Sequence, residues 1–267
     1  MPHDAQSQYH YEGDIVSQNR TALQVFINPG LSDPPMWNAV RVKKGLELLL
    51  EAGSDINVKD HRNDHTVLHE LLDTGTEDRD IQHGVEIILS LLLERGLSAK
   101  SLTRDESNAL HLVNRISTDA IDLLIAYGNN INHVRKSDGK TPLMLAVFNN
   151  DARAALHLLN YRDIDPNIPD FRGNTPLHLF HQYLDHHLDI VKALIAAGAD
   201  VNARNNDGNT PLHVISYGPE TLGLFVKHGF NLEAKDKEGL TILHKPAVMQ
   251  NLYGANADPK CLVDVGC

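Results

Sequence analysis

The sequence predicts an all-α solenoid of about six to seven helix-turn-helix units joined by short hairpins, and three observations predict it. First, a four-residue phrase recurs. It reads Thr175-Pro176-Leu177-His178 and Thr210-Pro211-Leu212-His213, and in worn form Thr66-Val67-Leu68-His69, Asn108-Ala109-Leu110-His111, Thr141-Pro142-Leu143-Met144 and Thr241-Ile242-Leu243-His244. With Trp37 of Pro35-Met36-Trp37 taken as the first counterpart, its fourth position falls at 37, 69, 111, 144, 178, 213 and 244, in steps of 32, 42, 33, 34, 35 and 31 residues. Second, a Gly-led phrase ending in Asn follows most copies: Gly53-Ser54-Asp55-Ile56-Asn57, Gly128-Asn129-Asn130-Ile131-Asn132 and Gly198-Ala199-Asp200-Val201-Asn202, with weaker copies at Gly96 and Gly229. Third, the segments between the two phrases carry apolar residues at helical spacing.

Each element of the unit has a physical reason. Thr offers a side-chain oxygen to cap a first helix, and Pro suits the first helical position, where its missing N–H costs nothing. A second helix follows, marked by Leu46, Leu49 and Leu50 in the first unit and by Val85, Ile88, Leu89 and Leu92 in the second. Ile121, Leu124 and Ile125 mark the third, Ile190, Val191, Leu194 and Ile195 the fifth, and Leu222, Phe225 and Val226 the sixth. The Gly then stops the helix in a left-handed residue that a β-carbon disfavours. In the fourth unit that Gly is replaced by the run Arg162-Asp163-Ile164-Asp165-Pro166-Asn167. The dipeptides Asp138-Gly139, Arg172-Gly173, Asp207-Gly208 and Glu238-Gly239 predict a tight hairpin before the next capping position.

Phrase, period and Gly-led run together resemble the ankyrin repeat family over residues 35–245, most clearly in the fifth and sixth units. The resemblance implies antiparallel helix pairs stacked in an arc, with hairpins projecting sideways. It also implies a structural hydrogen-bonding role for the marker residues His69, His111, His178, His213 and His244. Met144 and Trp37 cannot reproduce that role, so the fourth and first units are expected to rely on apolar packing. Asn57, Asn132 and Asn202 resemble ankyrin positions that asparaginyl hydroxylases modify, a property of the repeat itself.

With 42% hydrophobic residues and each unit burying its apolar face on its neighbours, one continuous stack is expected, although the chain has 267 residues. Residues 1–34 are expected to form a capping or partly ordered segment, and residues 246–267 a cap or tail. The formal charge of −11 repels phosphate backbones, so nucleic acid is not an expected partner, and the basic cluster Arg135, Lys136 and Lys140 reads as a solvated hairpin. Cys261 and Cys267 alone make no disulfide framework and fit a reducing compartment. Residues 1–20 show no apolar secretory core, and the longest apolar stretch, Val85 to Leu93, is too short to span a bilayer. The expectation is a monomer inside the cell, cytoplasmic or nuclear, with no membrane partner.

Two insertions interrupt the period. The 42-residue step carries about nine extra residues, placed in the acidic run 73–80 and expected to form an exposed loop. A smaller one surrounds His181-Gln182-Tyr183-Leu184-Asp185-His186-His187. His181 and His186 lie five apart, off the three-or-four spacing that puts ligands on one helical face, so no metal or other cofactor is expected.

In the family that the chain resembles, the binding surface is the concave one, built from hairpin tips and first-helix positions. Carried over, this points to Phe148, Asn149, Phe171, Arg172, Gln182, Tyr183, Asn206, Asp207 and Tyr217 as partner-binding residues on units four to six. Aromatics beside Arg and Asn suit an interface centre, and Phe171 at a hairpin tip has no core to join. The expected function is a non-enzymatic module that binds a protein or an extended peptide. One rival is the targeting half of a larger adaptor or effector. Another is an atypical enzyme using His181, Tyr183 and Asp185, although the chain has no Walker loop, dinucleotide turn or nucleophile elbow.

Overall fold

The computed structural model describes residues 22–27, 39–73, 79–180, 187–215 and 218–244. The described residues form helices and turns, with no strand among them. They fall into two compact halves, residues 1–136 and 137–267.

In the N-terminal half, α1 (Ala22–Ile27) packs on α2 (Ala39–Glu51) and on α3 (Val67–Leu72). The second helices α2 and α4 (Arg79–Glu94) pack on each other. A 3-10 first helix, α5 (Ala109–Arg115), and its partner α6 (Thr118–Ala126) extend the same pattern. First helices therefore stack on first helices and second on second, while the two helices of a repeat also pack on each other. Leu46, Leu68, Leu71, Ile88, Leu89, Leu92, Leu110 and Ile121 are fully buried along these contacts. Each contributes about 1.5–3 kcal/mol by leaving water.

The C-terminal half repeats the arrangement with α7 (Pro142–Phe148), α8 (Ala152–Leu159), the 3-10 turn α9 (Pro176–His178), α10 (His187–Ala196), α11 (Pro211–Val214), α12 (Pro219–Lys227) and the 3-10 turn α13 (Ile242–His244). Helices α8, α10 and α12 stack in sequence, over a core that includes Leu158, Leu194 and Phe225. Met144, at the marker position of the fourth repeat, is buried as its apolar side chain requires.

Two differences from the sequence reading concern where elements begin. Helix α1 lies inside the segment expected to cap the stack, and Trp37, the expected first marker, lies outside the described residues. The side-chain amide of Gln24 donates to the carbonyl of His65 at 2.7 Å. His178 and His213 make the corresponding bond in later repeats. The second difference is in the acidic insertion: Arg79 and Asp80 open α4 instead of lying in a loop. With 16 residues, α4 is longer than the partner helices α6, α8, α10 and α12, which have 9, 8, 10 and 9. Residues 74–78 of the insertion lie outside the described residues.

The stack is tied along one edge by asparagines. Asn167 donates to Gly198 O at 2.9 Å and accepts from Asp200 N at 2.7 Å. Asn202 does the same with Gly229 O and Asn231 N, and Asn57 with Gly96 O and Ser98 N. Each side chain thus bridges one repeat to the helix end of the next. In the fourth repeat α8 ends through Asn160 at φ −78°, so no left-handed residue, and no Gly, is needed there.

Candidate interaction surface

The phrase histidines hydrogen-bond within the fold. Thr175 N–H donates to His178 Nδ1 at 3.1 Å, which makes Nδ1 the acceptor and leaves the proton on Nε2. Nε2 then donates to the carbonyl of Asn209 in the next repeat, at 3.1 Å. His213 repeats this with Thr210 N–H at 3.3 Å and Leu240 O at 3.2 Å. His69 and His244 accept the corresponding amides of Thr66 and Thr241, both at 3.2 Å. In the third repeat Asn108 N–H donates to His111 Nδ1 at 3.2 Å. Burial lowers the pKa of His178, and it lowers that of His69 to about 4, because an imidazolium there would lose its hydration and bury its charge.

The hairpins hold each other through their backbones. Phe171 N–H donates to Asp138 O at 3.0 Å, and Asn206 N–H to Arg172 O at 2.9 Å. The Asn206 side-chain amide reaches Phe171 O at 2.9 Å. Phe171 is thus fixed from both neighbouring hairpins, yet its side chain is 60% exposed. Its ring lies over Gly139, where φ is +79° and an added Cβ would stand 2.5 Å from Phe171 Cδ1. The next residue, Lys140, places its ammonium 4.7 Å from the ring centroid of Phe148, which is 43% exposed at the end of α7. Phe171 thus lies against Gly139 and Phe148 against Lys140, whose ammonium is 3.0 Å from Asp138 Oδ2.

Of the other expected contact residues, Asn149, Arg172, Asn206 and Asp207 are exposed. The structure brings Phe171, Arg172 and Asn206 together through the bonds above, and Asp207 N–H is held by Asn205 Oδ1 at 3.0 Å. Gln182, Tyr183 and Tyr217, like His181 and Asp185 of the enzymatic alternative, lie outside the described residues. Lys140 was read only as part of a solvated basic hairpin.

The comparisons agree with this architecture. The family model described as Ankyrin repeats (3 copies) matches residues 79–170, 114–205 and 177–257, over half of the chain. The chain belongs to the ankyrin repeat family. Ankyrin repeat domains generally mediate protein–protein interaction and are generally non-enzymatic. Among curated relatives, the chain is 33% identical over 181 residues to the nuclear factor NF-kappa-B p105 subunit of Gallus gallus, covering 66% of this chain and 17% of that one. It is 31% identical over 155 residues to the ankyrin repeat protein FPV031 of fowlpox virus (strain NVSL), covering 55% and 45%. With ankyrin repeat protein OPG189 of variola virus the identity is 25% over 218 residues, covering 73% and 38%. The chain thus spans less than half the length of these relatives. The crystal structure of the Bcl-3 ankyrin repeat domain is similar in fold, with a TM-score of 0.64 at 22% identity, covering 89% of this chain and all of that one. Among the described residues, no helix of this ankyrin repeat protein is long and apolar enough to cross a membrane.

Proposed function

We propose that the chain is a non-enzymatic binding module that docks a partner protein or extended peptide on the concave face of repeats four to six. The observation that carries this reading is Phe171: a large aromatic side chain held out to solvent on a backbone pinned by two neighbouring hairpins. Such an anchor needs little ordering on binding, so little affinity is lost to conformational entropy. Phe148 and Lys140 extend the apolar and cationic contact, while Asn149, Arg172, Asn206 and Asp207 supply a polar rim. Gln182, Tyr183 and Tyr217 complete the set through the same positions of repeats five and six. The module acts as a monomer inside the cell, cytoplasmic or nuclear, without a nucleic-acid or membrane ligand.

The test is affinity capture from native extract with the wild-type chain and a Phe148→Ala, Phe171→Ala variant whose circular dichroism matches wild type. Both residues are exposed, so the variant is expected to fold. A captured partner, purified and titrated, is expected to bind the variant at least tenfold more weakly, as loss of a central aromatic anchor of about 2 kcal/mol implies. Equal affinity for both proteins would reject the surface.

A further inference from the structure

The second repeat departs from its neighbours in three ways that meet at one place. Its hairpin is one residue wider: Asp60 N–H donates to His65 O, whereas the corresponding bonds run from Thr103 to Ser107, Asp170 to Asn174 and Asn205 to Asn209. The residue before the capping Thr is a half-buried His65, at a place held elsewhere by Ser107, Lys140, Asn174, Asn209 and Leu240. The residue after the marker His is Glu70, buried at 5% exposure, where the third to sixth repeats have Leu112, Leu145, Leu179 and Val214.

A buried carboxylate is costly unless a cation balances it, and His65 is an ion-pair partner of Glu70. Here a second buried carboxylate, Asp60, joins it, and one donor atom from each of Asp60, His65 and Glu70 lies within 4.8 Å of the others. His65 Nδ1 is 3.7 Å from Glu70 Oε1, close to the roughly 3.3 Å between ligand atoms of a tetrahedral zinc ion.

The supporting structure fixes these donors. Asp60 Oδ1 accepts the amides of Arg62 and Asn63 at 2.9 and 2.7 Å, which sets the plane of its carboxylate. The His65 backbone carbonyl is held twice, by Asp60 N–H and by the Gln24 amide. The His65 ring stacks on the buried His69 ring, with centroids 5.3 Å apart. Glu70 sits in the first turn of α3. Second-sphere contacts of this kind orient metal ligands.

We propose that Asp60, His65 and Glu70 form a binding site for a divalent transition-metal ion of the zinc class. The donor set selects that class. An imidazole nitrogen disfavours magnesium and calcium, which take all-oxygen shells, and two carboxylates without thiolate disfavour copper(I) and iron–sulfur chemistry. The two carboxylates neutralise the ion, and three protein ligands leave a coordination position for water.

The experiment is isothermal titration of the full chain with zinc chloride, alongside His65→Asn, Glu70→Gln and Glu70→Leu. The last variant installs the residue type of the neighbouring repeats, so it keeps the apolar packing if the polar variants fold poorly, and circular dichroism checks each protein. The expected result is one equivalent of zinc in the wild type whose affinity falls at least tenfold in every folded variant, together with visible ligand-field bands on cobalt substitution that the variants lack. No zinc binding by the wild type would leave the cluster an ion pair alone and overturn the proposal. Equal binding by wild type and folded variants would assign the metal to other residues, such as the histidines of 181–187, and would overturn it too.

Discussion

Replacing Gln24 with Ala tests whether this residue, and not Trp37, serves as the marker of the first repeat. Gln24 is fully buried, and its amide donates to His65 O at 2.7 Å across 41 residues of sequence. Losing the hydrogen bond costs about 1–1.5 kcal/mol. Losing buried side-chain methylene costs about 0.8 kcal/mol for each group. Gln24→Ala removes one such group, so the expected destabilisation is about 2 kcal/mol, confined to the unfolding transition of the N-terminal half. Gln24→His supplies the ring that makes the corresponding bond in later repeats, and it is expected to recover most of that loss. The assay is urea unfolding followed by far-ultraviolet circular dichroism, with free energies from linear extrapolation. A cost below about 0.5 kcal/mol for Gln24→Ala would refute the reasoning, since such small effects are usual at surface sites far from any buried network.

Other outcomes follow from single observations. Gly139→Ala puts a Cβ at φ +79° against Phe171, and it is expected to cost at least about 1 kcal/mol in thermal or urea unfolding and to weaken partner binding as the ring is displaced. Glu106, at φ 54°, occupies a left-handed turn without being Gly; Glu106→Gly is expected to stabilise by about 0.5–1 kcal/mol, against an exposed Lys136 ion pair that contributes little, and calorimetry would check it. His178 has a lowered pKa in the fold, so its contribution is complete above its unfolded pKa and is lost as pH falls through that value toward the folded one. Stability measured between neutral and mildly acid pH should therefore fall less in His178→Gln than in wild type. Ser117 caps α6 by accepting from Ala120 N–H at 3.1 Å, and Ser117→Ala is expected to cost about 1 kcal/mol by urea unfolding.

The sequence carried the repeat clearly because capping chemistry is local. Thr, Pro, Leu and His at fixed spacing specify a helix start, and the structure shows the expected His bonds at His178 and His213. Phe171 was legible for the opposite reason: a hairpin between Asp170 and Arg172 has no core face. Gln24 escaped notice in the sequence because Thr21-Ala22-Leu23-Gln24 lacks both Pro and His, although a Gln amide can donate as an imidazole does. Arg79 and Asp80 read as loop from the acidic composition of the 73–80 run, but polar residues can continue a helix whose apolar stripe is already anchored, as Ile88 and Leu92 anchor α4. The Asp60, His65 and Glu70 cluster was hidden because its residues sit on a hairpin and a helix turn. Only alignment of Glu70 with Leu112, Leu145, Leu179 and Val214 makes the substitution visible.

The most direct test of the binding surface is hydrogen–deuterium exchange of the full chain, alone and with a captured and purified partner. The account predicts added protection at the 138–149, 170–183 and 205–217 segments, with Phe148, Phe171 and Asn206 at its centre. Protection confined to the 73–80 insertion or to the second helices, with these segments unchanged, would contradict it.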